Sequence, residues 1–134
     1  RNISFMVNEA CVIQKIPWSV TGYIEMHAVC GPLIIPGKTA CLNCIGKMNN
    51  SIFSDLDEAQ KNLAEEFNKR YQAPSYGPLN CYLSGLQAME AVKYLTGYEN
   101  PRTIGMRFIV NSKNMKIQIQ KMHRNPKCEV CRGI

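Results

Sequence analysis

No stretch of this sequence is apolar enough, over the roughly 20 residues required, to cross a membrane as a helix. Its 134 residues are 46% hydrophobic and 19% charged, which is ordinary for a globular domain. The opening RNISFMVNEAC lacks both a secretory signal pattern and an initiator methionine. These absences predict at most one domain, without a membrane partner, that is a piece of a longer or processed protein.

Acid–base side chains and phosphate-binding loops are scarce as well. The sequence has only 2 histidines, His27 and His123, and we expect both to be structural or surface residues. It contains no G-x-G-x-x-G pattern, the glycine-rich loop that cradles nucleotide phosphates. The chain therefore lacks a phosphate-binding loop of its own.

Positive charge prevails, but without the pattern typical of nucleic-acid binding. Lys and Arg number 16 against 10 Asp and Glu, which gives a net charge of +6. The excess concentrates only at Lys69-Arg70 and between Lys121 and Lys127, and no aromatic residues alternate with it. We interpret it as solvated surface, so a zinc-stapled nucleic-acid-binding module is kept only as an alternative.

Two Cys-x-x-Cys pairs are the most informative motifs present. They are Cys41-Leu42-Asn43-Cys44 and Cys128-Glu129-Val130-Cys131. Two intervening residues let both thiolates of a pair reach one ion, and two pairs supply the tetrahedral four-sulfur shell of structural Zn²⁺ sites. Such a site would clip the end of the chain onto its middle. The alternative is a pair of coincidental or disulfide-forming motifs.

The other three cysteines predict a reducing compartment. Cys11, Cys30 and Cys81 lie in the apolar contexts EACVI, HAVCG and LNCYL. We expect them to be buried free thiols, which favours a cytoplasmic location.

Hydrophobic periodicity predicts an α/β chain that begins with a helix. Residues 2–15 form this helix, and its apolar face carries Ile3, Met6, Val7, Ala10 and Cys11. Residues 18–25 and 28–35 are rich in Val, Ile, Tyr and Thr and predict two strands. Pro36-Gly37 then predicts a type II turn that leads into the first Cys pair.

The second part of the sequence adds two helices and a hairpin. Residues 45–53 look irregular, and a helix is expected to begin at Ser54. A loop over 72–79 leads to a helix over 80–96 with few charges, which we expect to be largely buried. Two alternating strands follow, joined by a turn at residues 111–114. The predicted sheet is mixed or antiparallel.

Several segments resemble the ThiF/MoeB family of ubiquitin-activating-enzyme-like adenylyltransferases. They are GPLIIPGKTACLNC, LQAMEAVKYLTGY and HRNPKCEVC, together with the opening VNEAC. RNISFMVNEAC and GYIEMHAVCGPLIIPGKT are most similar to the microcin-type peptide adenylyltransferases. The resemblance implies that residues 1–134 are the C-terminal portion of a single adenylyltransferase domain, the C-terminal half of a Rossmann-like ThiF fold.

The resemblance also implies an activity. Members of the family activate a C-terminal carboxylate, which attacks the α-phosphate of ATP with Mg²⁺ assistance and gives an acyl-adenylate and pyrophosphate. The acid is the tail of a ubiquitin-like protein or of a short peptide, and the enzymes are usually homodimers. Zn²⁺ is structural in the family, here through Cys41, Cys44, Cys128 and Cys131.

Few site residues carry over from the family to this segment. Gly22 and Tyr23 in the first strand, and Tyr76 before the long helix, are candidate substrate-binding residues, although plain strand and turn chemistry also explains them. The nucleotide-contacting residues are expected upstream of Arg1, so this segment should contain no catalytic residue and be inactive alone. Cys81 is predicted to be core, which argues against acyl transfer to a cysteine.

A non-catalytic scaffold is the remaining alternative. Such a chain would pair with a separate N-terminal chain, as the two chains of heterodimeric activating enzymes do. Either the enzyme or the scaffold would leave an exposed apolar surface on this segment. We expect dimerisation or association through that surface.

Overall fold

The computed structural model describes residues 3–24, 26–49 and 76–134. The predicted helix that begins at Ser54 lies outside these ranges. Within them, no helix is both long and apolar enough to cross a bilayer. The helices are α1 (Ile3–Ile13), α2 (Leu42–Asn49) and α3 (Gly77–Thr96). The strands are β1 (Trp18–Ile24), β2 (His27–Ile34), β3 (Met106–Asn111) and β4 (Ile117–Lys121).

The four strands form one sheet in the order β1-β2-β3-β4. Every neighbouring pair is antiparallel, and one isolated parallel bridge joins Leu33 to Ile104. The first three predicted strands are confirmed, whereas the last begins at Ile117 and leaves Met115 in the connection before it, with a φ of 56°. The described sheet is antiparallel rather than mixed. The registers align four side chains in one row across the sheet, Tyr23, Ala28, Val110 and Ile117.

The central strand β2 is the most buried element of the sheet. Each residue from Cys30 to Ile34 is buried, which explains why this strand reads as a nearly continuous apolar run. Gly31 has φ of +84°, and a Cβ placed there would lie 2.8 Å from the main-chain oxygen of Met106. A glycine is therefore required at this point of close approach.

Two apolar clusters hold the elements together. In the first, the start of α3 covers one face of the sheet, where Ala28, Cys30 and Val110 meet Leu79 and Leu83. The second cluster lies at the end of β2 and contains all four cysteines of the two pairs, with Val12, Ile34, Ala40, Ile45 and Met122. The candidate metal ligands are therefore part of a core.

The expectation that the long helix is largely buried is wrong. Only Leu79 and Leu83 of α3 are buried, whereas Met89, Val92 and Leu95 are 53%, 50% and 81% exposed in the described structure. The sheet side of α3 carries Leu79, Leu83 and Leu86, and Gln87 still reaches the Ser19 carbonyl of β1. Met89 and Val92 lie at a different helical phase, which turns them away from the sheet. They contribute to the exposed apolar surface that the sequence led us to expect.

The predicted apolar face of α1 is not its buried face. Ile3 and Met6 are exposed, and the buried residues of α1 are Asn8 and Val12. These two residues face α2 and β1, the elements that α1 contacts. The helix is as predicted, but its apolar face points away from the part of the chain that the structure describes.

The expected irregular segment after the first Cys pair is partly helical. Helix α2 runs from Leu42 to Asn49, so the prediction for residues 45–49 is wrong. Ile45 is buried in the cluster of cysteines. Tertiary packing here outweighs the weak helix propensity of Gly46.

Candidate metal centre and substrate-side residues

A tight turn positions the first Cys pair. Gly37 has φ of +83°, and Lys38 donates its N–H to the Ile35 carbonyl over 3.0 Å, as the predicted type II turn requires. The chain then reaches Cys41 immediately before α2, and Cys44 lies in the first turn of that helix. A short turn and a helix start therefore aim both sulfurs at one point.

Arg124 fastens the second pair beside the first. Its guanidinium donates to the main-chain oxygens of Gly37, Cys131 and Ile134 over 2.9, 2.9 and 3.0 Å. One side chain thus joins the turn before the first pair to the segment that carries the second. Arg124 belongs to the basic stretch that we interpreted as solvated surface, so the sequence did not reveal this role.

The four cysteine sulfurs converge. All four lie within 4.8 Å of one another, although the two pairs are 87 residues apart. The sulfur of Cys41 lies 3.8 Å from that of Cys44 and 3.6 Å from that of Cys128, and Cys44 and Cys131 are 3.4 Å apart. Each of the four residues is at most 2% exposed.

These distances fit a tetrahedral metal ion better than disulfides. An ion bound about 2.3 Å from each of four sulfurs separates them by about 3.8 Å, close to the spacings seen here. A disulfide would need about 2.0 Å, and all four residues are free cysteines. The structure therefore favours a metal site over the disulfide alternative, and soft thiolates suit zinc among common ions.

The electrostatics of the cluster also call for a cation. Burial raises the pKa of Cys41, and burial with the neighbouring sulfurs of Cys44 and Cys128 raises that of Cys131. Burial opposes ionisation of Cys128 too, but main-chain N–H groups at Cys131 and Val130 outweigh it and lower its pKa to about 7. The thiolate of Cys128 therefore forms readily, whereas those of Cys41 and Cys131 are disfavoured until a positive ion compensates them.

Two of the candidate substrate residues, Gly22 and Tyr23, lie near the end of β1. Tyr23 packs on the cluster that includes Leu79, in the first turn of α3, and Tyr76 immediately precedes that helix. Gly22 is exposed, and nothing lies within 4 Å of a Cβ built on it. Because adjacent residues of a strand point to opposite faces, Gly22 and Tyr23 belong to opposite faces of the sheet. Their roles remain predictions.

The predicted burial of the remaining cysteines holds for only one of them. Cys30 is buried, and burial raises its pKa. Cys11 is half-buried. Cys81 is exposed, so its assignment to the core is wrong. Leu79 and Leu83 face the sheet, and the helical period directs Cys81, midway between them, to the opposite side.

Glu90 on α3 is fully engaged in structural contacts. Its carboxylate accepts from the N–H and Oγ1 of Thr103, at 2.7 and 2.9 Å, and from Nζ of Lys93 at 2.7 Å. Burial works against the charged form, but these donors prevail and lower the pKa of Glu90. The group fastens α3 to the segment before β3 and is not poised as a base.

Three features define the class of this chain. They are an antiparallel four-stranded sheet, a long helix across one face of that sheet, and a four-cysteine centre at the end of β2. It belongs to the ThiF family, whose family model matches residues 1–130.

Similar proteins include HesA of Leptolyngbya boryana, 29% identical over 94% of this chain and 39% of HesA. Molybdopterin-synthase adenylyltransferase of Escherichia coli is 26% identical over 93% of this chain and 44% of the relative. The E. coli MccB structure with ATP superposes with a TM-score of 0.83 at 31% identity, over 97% of this chain and 36% of MccB. The chain thus spans less than half the length of these relatives.

Proposed function

We propose that this chain is part of an ATP-dependent adenylyltransferase that activates the C-terminal carboxylate of a short peptide or a ubiquitin-like protein. The family match over residues 1–130 carries the proposal. MccB structures with ATP, and with AMPCPP and the MccA peptide, resemble this chain at 31% identity, which favours a peptide as the acid. The ubiquitin-like tail is the second member of the same substrate class.

In the proposed reaction an ionised carboxylate oxygen attacks the α-phosphate of ATP. The bond from the α-phosphorus to the bridging oxygen breaks, pyrophosphate leaves, and the acyl-adenylate remains. No general base is needed, because the attacking carboxylate is already ionised at neutral pH. Bound Mg²⁺ offsets phosphate charge in such reactions. Glu90, bonded to Thr103 and Lys93, takes no part.

The segment contributes substrate-side contacts and the four-cysteine metal site rather than catalytic groups. Gly22, Tyr23 and Tyr76 are the proposed substrate-side contacts, and no G-x-G-x-x-G loop occurs in the sequence. ATP and Mg²⁺ are therefore assigned mainly to the rest of the protein. We assign the full-length protein to the cytoplasm, as a homodimer. The 134-residue segment alone should be inactive.

Zn²⁺ is the proposed ion of the four-cysteine centre. Cys41, Cys44, Cys128 and Cys131 would fill all four positions of a tetrahedral shell, with no position open for water or substrate. The sulfur spacings of 3.4 to 3.8 Å support this assignment. The ion would be structural, since no reacting group can reach it.

ATP–pyrophosphate exchange tests the proposal. Full-length protein would be assayed with candidate peptides, with zinc measured on the same sample. Each peptide would be matched by a copy with an amidated C-terminus, because an amide cannot attack the α-phosphate. Exchange only with the free acid, and one zinc per chain, would support the enzyme. Zinc without exchange on any acid would favour the scaffold alternative.

A further inference from the structure

Asn8 is the one fully buried amide side chain among the described residues, and it lies beside the metal centre. It is 0% exposed, although exposed apolar residues occupy much of α1 around it. Burying an amide is costly unless its polar atoms are paired. Its neighbours should therefore show what the side chain does.

Both polar atoms of Asn8 are bound to the first Cys pair. Oδ1 accepts the N–H of Leu42 over 2.9 Å, and Nδ2 donates to Oδ1 of Asn43 over 2.9 Å. Leu42 and Asn43 are the two residues between Cys41 and Cys44. The contact spans 34 and 35 positions in sequence, so it is a tertiary clamp and not a local turn.

The clamp also satisfies the start of a helix. Leu42 is the first residue of α2, and the first N–H groups of a helix have no acceptor within it. The Leu42 N–H lies between the proposed metal ligands Cys41 and Cys44. Its hydrogen bond to Asn8 therefore holds the peptide group that orients both cysteine sulfurs. Main-chain N–H of Asn125 fastens the other end of the pair, 3.4 Å from the sulfur of Cys44.

We propose that Asn8 is a positioning residue for the metal centre, which holds the Cys41–Cys44 turn in the geometry that binds the ion. The inference rests on the proposed zinc at the four cysteines. Partners that orient metal ligands typically change affinity by about 10- to 100-fold when removed. Asn8 thereby couples the position of α1 to occupancy of the metal site.

The test is zinc release from the full-length protein to a chromogenic chelator. Asn8→Leu keeps the size of the side chain but leaves the Leu42 N–H unpaired, and should release zinc about 10- to 100-fold faster. Asn43→Ala removes only the second bond on a half-buried residue, and should accelerate release less. Cobalt substitution adds a spectroscopic readout, because a distorted sulfur shell shifts the visible bands of the Asn8→Leu protein.

Thr103→Val is the matched control. Thr103 is also buried and also bonded across elements, to Glu90, but it lies outside the cluster of cysteines. Its variant should lose stability and keep the wild-type release rate. Equal acceleration in Thr103→Val and Asn8→Leu would reduce the effect to general destabilisation and overturn the assignment.

The remaining outcomes separate the role of Asn8 from the proposed zinc site. A wild-type release rate in Asn8→Leu, with one zinc in the parent protein, overturns the role of Asn8 and leaves the zinc site intact. A parent protein without zinc overturns both the zinc site and the role of Asn8. If Asn8→Leu fails to fold, Asn43→Ala decides: faster release supports the clamp, and an unchanged rate refutes it.

Discussion

Replacing the second Cys pair should remove most of the stabilisation that the metal gives. The sulfurs of Cys41 and Cys128 meet across 87 residues. An ion that binds the folded chain but not the unfolded one stabilises the fold through its binding free energy, by about 4.1 kcal/mol when the free ion is at about 1,000 times its dissociation constant. The double variant Cys128→Ser/Cys131→Ser cannot complete the four-sulfur shell, so it should lose about 4 kcal/mol under that condition.

Urea unfolding of the full-length protein in reducing buffer is the assay, with zinc content measured alongside. Wild-type protein stripped with a chelator should become as unstable as the double variant, and the double variant should not respond to the chelator. Cys81→Ser is the control, because Cys81 is exposed and surface changes stay within about 0.5 kcal/mol. A zinc-free double variant with wild-type stability would refute the reasoning that metal binding stabilises the fold.

Three further predictions concern the rest of the fold. Glu90→Gln should cost about 1 to 3 kcal/mol in urea unfolding, since bonds to a charged group are lost. The pKa of Glu90 is lowered in the folded protein. Its contribution to folding stability is therefore present above the unfolded pKa, near 4.3, and is lost as pH falls through the folded pKa. A stability difference between the wild type and Glu90→Gln that persists unchanged in acid would contradict this. Cys81 should be alkylated by a maleimide far faster than Cys30, which mass spectrometry of short labelling times can check; comparable rates would contradict the placement of α3. Gly31→Ala should destabilise by about 1 to 3 kcal/mol, because φ is +84° and the nearest main-chain oxygen is 2.8 Å from the new Cβ; an unchanged unfolding midpoint would argue against the close approach of β2 and β3.

The Cys pairs and strands could be predicted because each carries its own local signal. Two-residue spacing limits where Cys41 and Cys44 can point, and alternation or continuous apolar runs identify the strands. The turn at Pro36-Gly37 is equally local and has the expected positive φ. These elements depend little on what packs against them.

The errors arise where packing decides. Periodicity shows that α1 and α3 have apolar faces, but it does not show which neighbour covers them. Asn8 faces the described structure while Ile3 does not, because hydrogen bonds to α2 fix the rotation of α1. Cys81 lies in an apolar sequence context, yet its helical phase relative to Leu79 places it in solvent. Such rotations are set by tertiary contacts.

The segment after β4 has few contacts of its own that would hold it in place. From residue 122 onward the described chain contains turns but neither helix nor strand, and its buried residues are Met122, Cys128 and Cys131. So little apolar burial gives weak support to an irregular segment, which has to offset about 1 to 2 kcal/mol of backbone entropy per ordered residue. Arg124 adds hydrogen bonds to main-chain oxygens, but its side chain is exposed, so water competes for these bonds. With the proposed ion bound, sulfur–metal bonds through Cys128 and Cys131 would be the strongest attachment of this segment to α2. Because Asn8 fixes α1 to the same turn, one ion would hold three separate parts of the chain in place.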